Sequence, residues 1–410
     1  MTTLIPKYDQ GSTGAVNRDI NLKLAETVSV LDFGADPTGV TDSTTAIQNA
    51  INYAQQSNNG KPNTVYFPSG TFKTTGSLTI NKTVWLKGES PAATTIQITS
   101  ASIVPVISVA TSSNAILGGG ISNLTVNAST NCDGIVIVAT SPYGISRFTV
   151  QNIQILNCRD GINVSSNTGN VVYQSEFKNI LINTITRYGL ATSGISYNIF
   201  QGIEIANTGS SAQSYHFVAA FSSYICQLTC DGCSFLDCPY SIVDGFTVET
   251  ISASSTTSSV CLNINNAVSV RNVFLIDIDN SKCQYAIGMG AATIRLSDVS
   301  FSNNSTTQPN YPLTLNDSGN GIIENFYLPT KITIESYSSI ASLLSYKFIN
   351  CPTLTNISNL GTNLVSALPT AQEKLRGNML ILKGAAGVSD HTYVCQKNAA
   401  NAYTWVQIDN

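Results

Sequence analysis

The chain has 410 residues, a formal net charge of −4, and a charged fraction of 11%, against roughly 25% in an average globular protein. Hydrophobic residues make up 42%, enough for a sizeable core, so disorder is not the reading. The acidic balance, with a pI near 5.2, argues against nucleic acid as a partner; no apolar run of about 18 residues offers a membrane helix.

Residues 1–27 are polar and without a period. They read as an extended leader, a docking peptide or simple disorder, and they lack the blocks of a signal peptide. Export by the usual route is therefore not expected, and the protein is expected to be assembled in a cytoplasm. Residues 28–33 open with an apolar strand, and Asp36-Pro37-Thr38-Gly39 reads as a turn. Thr41 or Asp42 then offers an N-cap for a helix with Ile47, Ala50, Ile51 and Ala54 on one face. Laid across the end of a stack of strands, such a helix would cover raw edges. Thr64-Val65-Tyr66-Phe67-Pro68-Ser69-Gly70-Thr71-Phe72 and Val84-Trp85-Leu86-Lys87-Gly88-Glu89 follow as the first coils.

From about residue 123 to 304 one short pattern keeps returning. Asn123-Leu124-Thr125-Val126 is repeated as Asn152-Ile153-Gln154-Ile155, Asn179-Ile180-Leu181-Ile182, Gly202-Ile203-Glu204-Ile205 and Asn272-Val273-Phe274-Leu275, with a looser copy at Gly232-Cys233-Ser234-Phe235. A second apolar pulse follows each copy, as in Gly134-Ile135-Val136-Ile137 and Gly161-Ile162-Asn163-Val164. Short strands with Asn, Gly and Ser at the corners are the signature of a solenoid. The repeat length drifts while the strands stay in step, which a β-helix tolerates because insertions bulge at the corners. Asn at one register suits a turn where side-chain amides stack along the axis. The fold class read from this is all-β, a parallel β-helix. After Leu360-Gly361 the texture changes: 376–382, 392–397 and 402–407 alternate like antiparallel strands.

Residues 28–51, with Val65 to Phe72 and Leu86-Lys87-Gly88, resemble the opening segment of the pectate-lyase-like superfamily. With a short polar leader ahead of it, this form is similar to bacteriophage tailspike proteins. The resemblance implies a right-handed β-helix with an N-terminal capping helix and a small C-terminal β module. The domains would then be 1–27 for docking to a phage tail or baseplate protein, 28–360 for the helix, and 361–410 for capping and trimerisation. It further implies a homotrimer on the virion tail that binds bacterial surface polysaccharide, O-antigen or capsule, and usually cleaves it.

The groups for chemistry must come from the residues themselves. Only two histidines, His216 and His391, occur, so His-rich metal sites are not expected and the metal and cofactor expectation is none. Gly118-Gly119-Gly120 reads as a loop rather than a phosphate cradle. Of ten cysteines, Cys226, Cys230, Cys233 and Cys238 cluster; stacked core positions suit them better than zinc. Paired carboxylates are the best candidates for glycoside hydrolysis. Glu204 lies between inward Ile203 and Ile205, so it points outward. Aligning the repeats places Asp237 and Asp231 one coil on, each three residues away in register. Glu176 fits less well, and Asp160 and Asp244 could line the same groove. Tyr173, Tyr188, Tyr197, Tyr215, Tyr224 and Tyr240 could stack on sugars or pack at corners. Arg187 and His216 could bind an anionic sugar, or with Tyr188 or Tyr215 run a β-elimination. Hydrolase, lyase and non-catalytic glycan adhesin stay open, with the hydrolase favoured.

Overall fold

The computed structural model describes residues 6–56 and 63–249, apart from 101, 130, 168, 170, 209–211 and 232. Beyond these it describes 260–266, 269–276, 285–290, 293–302, 311–315, 320–327, 346–349, 364–365, 368, 370–371, 376, 379–382, 385, 388–400 and 402–408. Gly232, the boundary at 360/361 and Gly377-Asn378 lie outside the described residues. The chain divides into two compact units, Met1–Ala206 and Asn207–Asn410, which are described one at a time.

In the first unit the leader is not extended. Lys7–Tyr8 pairs antiparallel with Arg18–Asp19, and a short helix spans Ile20–Leu24, with Asp19 accepting the Asn21 N–H at 2.8 Å. Glu26 ties the leader together by pairing with both Arg18 and Lys23. Local charge pairs and a cap have replaced the expected open chain.

Val28–Ser29 then runs parallel to Val65 and Tyr66, and a helix forms at Thr44–Ala54 with Ile47, Ala50, Ile51 and Ala54 buried. This is the predicted apolar face. It packs against the Val30–Phe33 turn of 3-10 helix and the strands Thr64–Phe67 and Leu78–Ile80. The helix starts slightly later than predicted: Ser43 holds the N-cap position, while the Asp42 carboxylate accepts the Thr44 N–H at 3.0 Å.

The turn ahead of this helix is organised by a carboxylate. Asp36 accepts the Thr38 hydroxyl at 2.6 Å, the Thr38 N–H at 2.9 Å and the Thr41 N–H at 2.8 Å. Gly70 is needed opposite, because at φ +147° a Cβ there would stand 2.6 Å from the Pro37 carbonyl oxygen. The Thr38 hydroxyl and the two N–H donors hold the Asp36 carboxyl well below the usual carboxylate range. At Asp42 burial pushes the other way, but donors from Thr44 and Thr75 outweigh it. Both carboxylates therefore stabilise the fold above the unfolded pKa, about 4, and that contribution is lost as pH falls through the depressed folded values. Thermal unfolding followed from pH 7 to pH 2 should show the midpoint falling below about pH 4. Asp36→Asn should lower the midpoint at pH 7 and flatten that fall; an unchanged profile would count against the turn.

The coils stack in parallel. Leu124 registers with Ile153 and Ile153 with Ile180, and Val126, Ile155 and Ile182 form a second row. All six are buried at 0–2% exposure, with Gln154 and Leu181 alternating outward between them. Asn123, Asn152 and Asn179 occupy one turn register at φ 57°, 52° and 53°. Asn is among the few L-residues that enter this left-handed region readily. Its amide also bonds along the axis, Asn152 Nδ2 donating to Asn123 Oδ1 at 2.7 Å.

The second unit repeats the plan with Tyr224–Cys230, Ile242–Glu249, Ser269–Ile276, Thr293–Ser302 and Asn320–Tyr327 in successive parallel register. Gln227, Gly245, Asn272, Asp298 and Asn325 take the left-handed turn positions, with Asn325 Nδ2 donating to Asp298 Oδ1 at 2.7 Å. One predicted copy is corrected here. Ser234–Asp237 pairs with His216-Phe217 and with Leu262 to Asn265, so it is the second strand of its coil. The returning first strand is Gln227-Leu228-Thr229-Cys230, with glutamine where the pattern has Asn or Gly. Cys226, Cys230, Cys233 and Cys238 are all buried and unbridged. A separate sheet joins Leu364–Val365 parallel to Met379–Leu382, and the latter antiparallel to His391–Lys397 and on to Tyr403–Gln407.

Candidate functional site

On the first unit the outward row of the coil strands forms the floor of an open groove of about 340 Å³. Pro91, Asn152, Gln154, Asn179, Leu181, Gly202 and Glu204 line it, with backbone from Ile153 and Ile180. Strand alternation produces this surface: Ile153, Ile180 and Ile203 point inward at 1–2% exposure, so Gln154, Leu181 and Glu204 project outward. Thr125, one coil below Gln154 in the same row, donates its hydroxyl to the Pro91 carbonyl at 2.7 Å and fixes one wall. Glu204 is exposed. Among the described residues, the side chains of Gln154, Asn179 and Glu204 have no hydrogen-bond partner. The groove thus offers two amides and a carboxylate free for a ligand on a flat, otherwise uncharged floor. Glu204 is its only carboxylate among the described residues.

Arg187 and Asp160 sit elsewhere in this unit, as a structural pair. Asp160 is fully buried and accepts Arg187 Nε at 2.7 Å, with Nη2 on its other oxygen. The Tyr188 N–H also points at Asp160, at 3.3 Å, and the guanidinium lies 5.1 Å from the centre of the Tyr188 ring. The same device occurs one coil below, where Asp133 takes Arg159 through two 2.8 Å bonds. Asp160 cannot line a groove from there, and Arg187 is committed to it. Glu176 is likewise paired, with Lys178 at 2.8 Å. The Asp133–Arg159 pair was missed in the sequence; its signal is Asp133-Gly134-Ile135 returning as Asp160-Gly161-Ile162.

Tyr173 and Tyr197 share one corner, where the Gln174 N–H donates to the Tyr197 carbonyl at 3.2 Å. They are 37% and 64% exposed and do not line the Glu204 groove. In the second unit Tyr224 and Tyr240 are also exposed, Tyr240 at a left-handed turn with φ 59°.

Tyr215 is corrected from a sugar contact to a core residue. It is fully buried, stacks on Phe217, meets Phe246 edge-on, and donates its hydroxyl to the Thr229 carbonyl at 3.0 Å. Tyr215→Phe should cost about 1 kcal/mol of stability from that one bond, measured by denaturant unfolding, with glycan binding unchanged. A loss of binding at unaltered stability would return Tyr215 to the site. His216 is held by Gln213 at 2.7 Å and packs on Phe235. Asp244 is taken up by Asn272 at 2.7 Å and Arg271 at 2.8 Å, and those partners hold its carboxyl below the usual range.

Asp231 is half-buried just beyond the strand Tyr224–Cys230. Asp237 is half-buried in register with Asn265, and its Oδ1 is buried without a hydrogen-bond partner. Ser234–Asp237 is a second strand of its coil, so the repeat alignment that places Asp237 on a returning first strand does not apply to it.

The family model described as Rhamnogalacturonase A/epimerase, pectate lyase-like, matches residues 27–131. Among solved structures, ORF18 of Geobacillus virus E2 aligns over 95% of this chain and 74% of its own, at 16% identity and a TM-score of 0.57. The DFA-IIIase of Arthrobacter chlorophenolicus A6, in complex with GF2, aligns over 76% of this chain and 96% of its own, at 10% identity and a TM-score of 0.53. Tailspike protein 3 of bacteriophage CBA120 aligns over 98% and 73%, at 12% identity and a TM-score of 0.43. Among curated proteins none matches in sequence. The first two structures establish the fold alone.

Proposed function

We propose that this chain, a protein of the pectate-lyase-like β-helix superfamily, is a phage tailspike that binds a bacterial surface polysaccharide and cuts it by glycoside hydrolysis. The observation that carries this is the Glu204 groove, where unpaired amides and one exposed carboxylate face solvent on a rigid stack of strands. Amides pair with sugar hydroxyls in both directions, as donor and acceptor. The carboxylate supplies the proton chemistry: water adds across the glycosidic C–O bond, one fragment gaining a reducing end and the other a hydroxyl. The resemblance of about residues 20–90 to tailspikes supports the setting, with the leader docking to the tail and three chains assembling through the C-terminal sheet. Asp231 and Asp237 are retained as candidate catalytic carboxylates, each to be assayed in its own right.

β-Elimination has lost its main support, because Arg187 is tied to Asp160 and is not available to neutralise a uronate. A non-catalytic adhesin is the second reading, favoured by the single carboxylate in the groove.

The test is to incubate the full chain with purified bacterial surface polysaccharides, reading reducing ends together with the ultraviolet absorbance of unsaturated uronate ends. Reducing ends alone mean hydrolysis, and Glu204→Gln, Asp231→Asn and Asp237→Asn are then assayed separately. Absorbance means a lyase. Binding with neither signal means an adhesin.

A further inference from the structure

The asparagine ladder of the first unit stops short, and the place where it stops is in the groove. Asn123 and Asn152 are linked amide to carbonyl at 2.7 Å, and Asn179 follows at the same register. At the next position of this register stands Gly202, φ 61°, where a Cβ would come 3.0 Å from Asn179 Oδ1. Glycine is not required there by backbone conformation, since asparagine holds φ values between 52° and 57° at Asn123, Asn152 and Asn179. What glycine does is leave out a side chain. The result is a notch over the exposed Asn179 carboxamide, which has no partner among the described residues, beside Gln154 and Glu204.

We infer that Gly202 interrupts the ladder to open a subsite in which the Asn179 amide takes an uncharged hydrogen-bonding substituent of a neutral polysaccharide. This rests on the glycan reading of the groove. Charge decides the class. Among the described residues, Glu204 is the groove's one ionisable side chain and no cation lines it. Lys178, which precedes Asn179 in the chain, is engaged by Glu176. A uronate strand would bring its carboxylates toward Glu204 with no cation to offset them. A neutral sugar needs only the amide donors and acceptors the notch leaves open.

Gly202→Asn tests this, because it closes the notch with the residue the ladder uses elsewhere. Its Nδ2 would cap Asn179 Oδ1 as Asn152 caps Asn123. Asn179→Gly is the second variant, since Gly202 itself shows glycine accommodated at this register, and it removes the amide while leaving space. The probes are O-polysaccharides of neutral hexoses and N-acetylhexosamines, with polygalacturonate as the anionic probe. Wild type should bind the neutral polymers in preference to polygalacturonate. Both variants should weaken that binding about tenfold or more, the scale of one or two lost hydrogen bonds. Gly202→Asn should stay folded, with the Asn179 amide shifted by a few tenths of an ångström, since asparagine occupies this turn in the three preceding coils.

Neutral-polymer binding unchanged in folded Gly202→Asn and Asn179→Gly would overturn the subsite while leaving the glycan reading intact. Preference for polygalacturonate would overturn the substrate class. If wild type bound no probe at all, the glycan reading itself would fail and this inference with it.

Discussion

Arg187→Met should destabilise the first unit by about 3–5 kcal/mol, the range seen when one member of a buried ion pair is removed. The variant keeps most of the aliphatic stem and deletes only the charge. What it leaves behind is Asp160, fully buried, with the Tyr188 N–H at 3.3 Å as its remaining donor among the described residues. The penalty lies in that stranded carboxylate, not in the guanidinium, which is itself 44% exposed. The double variant Arg187→Met/Asp160→Asn should therefore recover a substantial part of the loss, because a neutral amide is far less costly to bury than an unpaired anion. Denaturant unfolding of the full chain, read as a double-mutant cycle, checks both statements. If Arg187→Met costs no more than the roughly 1 kcal/mol of an exposed pair, the Arg187–Asp160 pair does not stabilise the fold.

This pair also shows where the sequence was legible and where it was not. The solenoid could be read because its rows are made by alternation within one strand: Ile153 and Ile155 inward, Gln154 outward. The helix face at Ile47, Ala50, Ile51 and Ala54 was legible for the same reason, a local period. The Arg187–Asp160 contact is set by how one coil sits on the next. Asp160 registers with Tyr188, so the arginine that reaches it is the residue before its strand neighbour, across a register shift between Cys158 and Asp160. Residue type alone gave both groups an outward, sugar-facing role.

Gln227 is the other place where the pattern misleads. Glutamine at a left-handed turn breaks the Asn/Gly series, which points the next copy to Gly232 and puts Asp237 on the wrong strand. Tyr215 was misplaced for a different reason: a phenol can be buried whenever one carbonyl, here that of Thr229, takes its hydroxyl. Glu204 was placed correctly on the outer face because its two isoleucine neighbours fix its direction. That Gly202 opens the floor beside it depends on the coil below, and only the structure brings Asn179 under it.

Glu204→Gln should lower kcat for polysaccharide cleavage by about 10²–10⁴-fold, the usual contribution of a positioned general acid or base, with little change in affinity. Glutamine keeps the length and the hydrogen-bonding reach of the side chain, so the groove retains its shape and its contacts to sugar hydroxyls. It cannot take or give the proton that bond cleavage needs. The split between kcat and binding is therefore the informative readout, since a residue that only held the glycan would raise KM and leave kcat alone. Glu204 is exposed and has no hydrogen-bond partner among the described residues, so the substitution strands no internal group and should leave the unfolding free energy within about 0.5 kcal/mol of the parent. That absence of structural work is what makes the experiment clean. A fall in activity with stability and affinity intact would place Glu204 at the reacting bond. Full activity would move the chemistry away from this groove, with Asp231→Asn and Asp237→Asn as the next variants to assay. If the parent itself released no reducing ends while still binding the polymer, the same groove would be that of an adhesin, and the lone carboxylate would serve recognition.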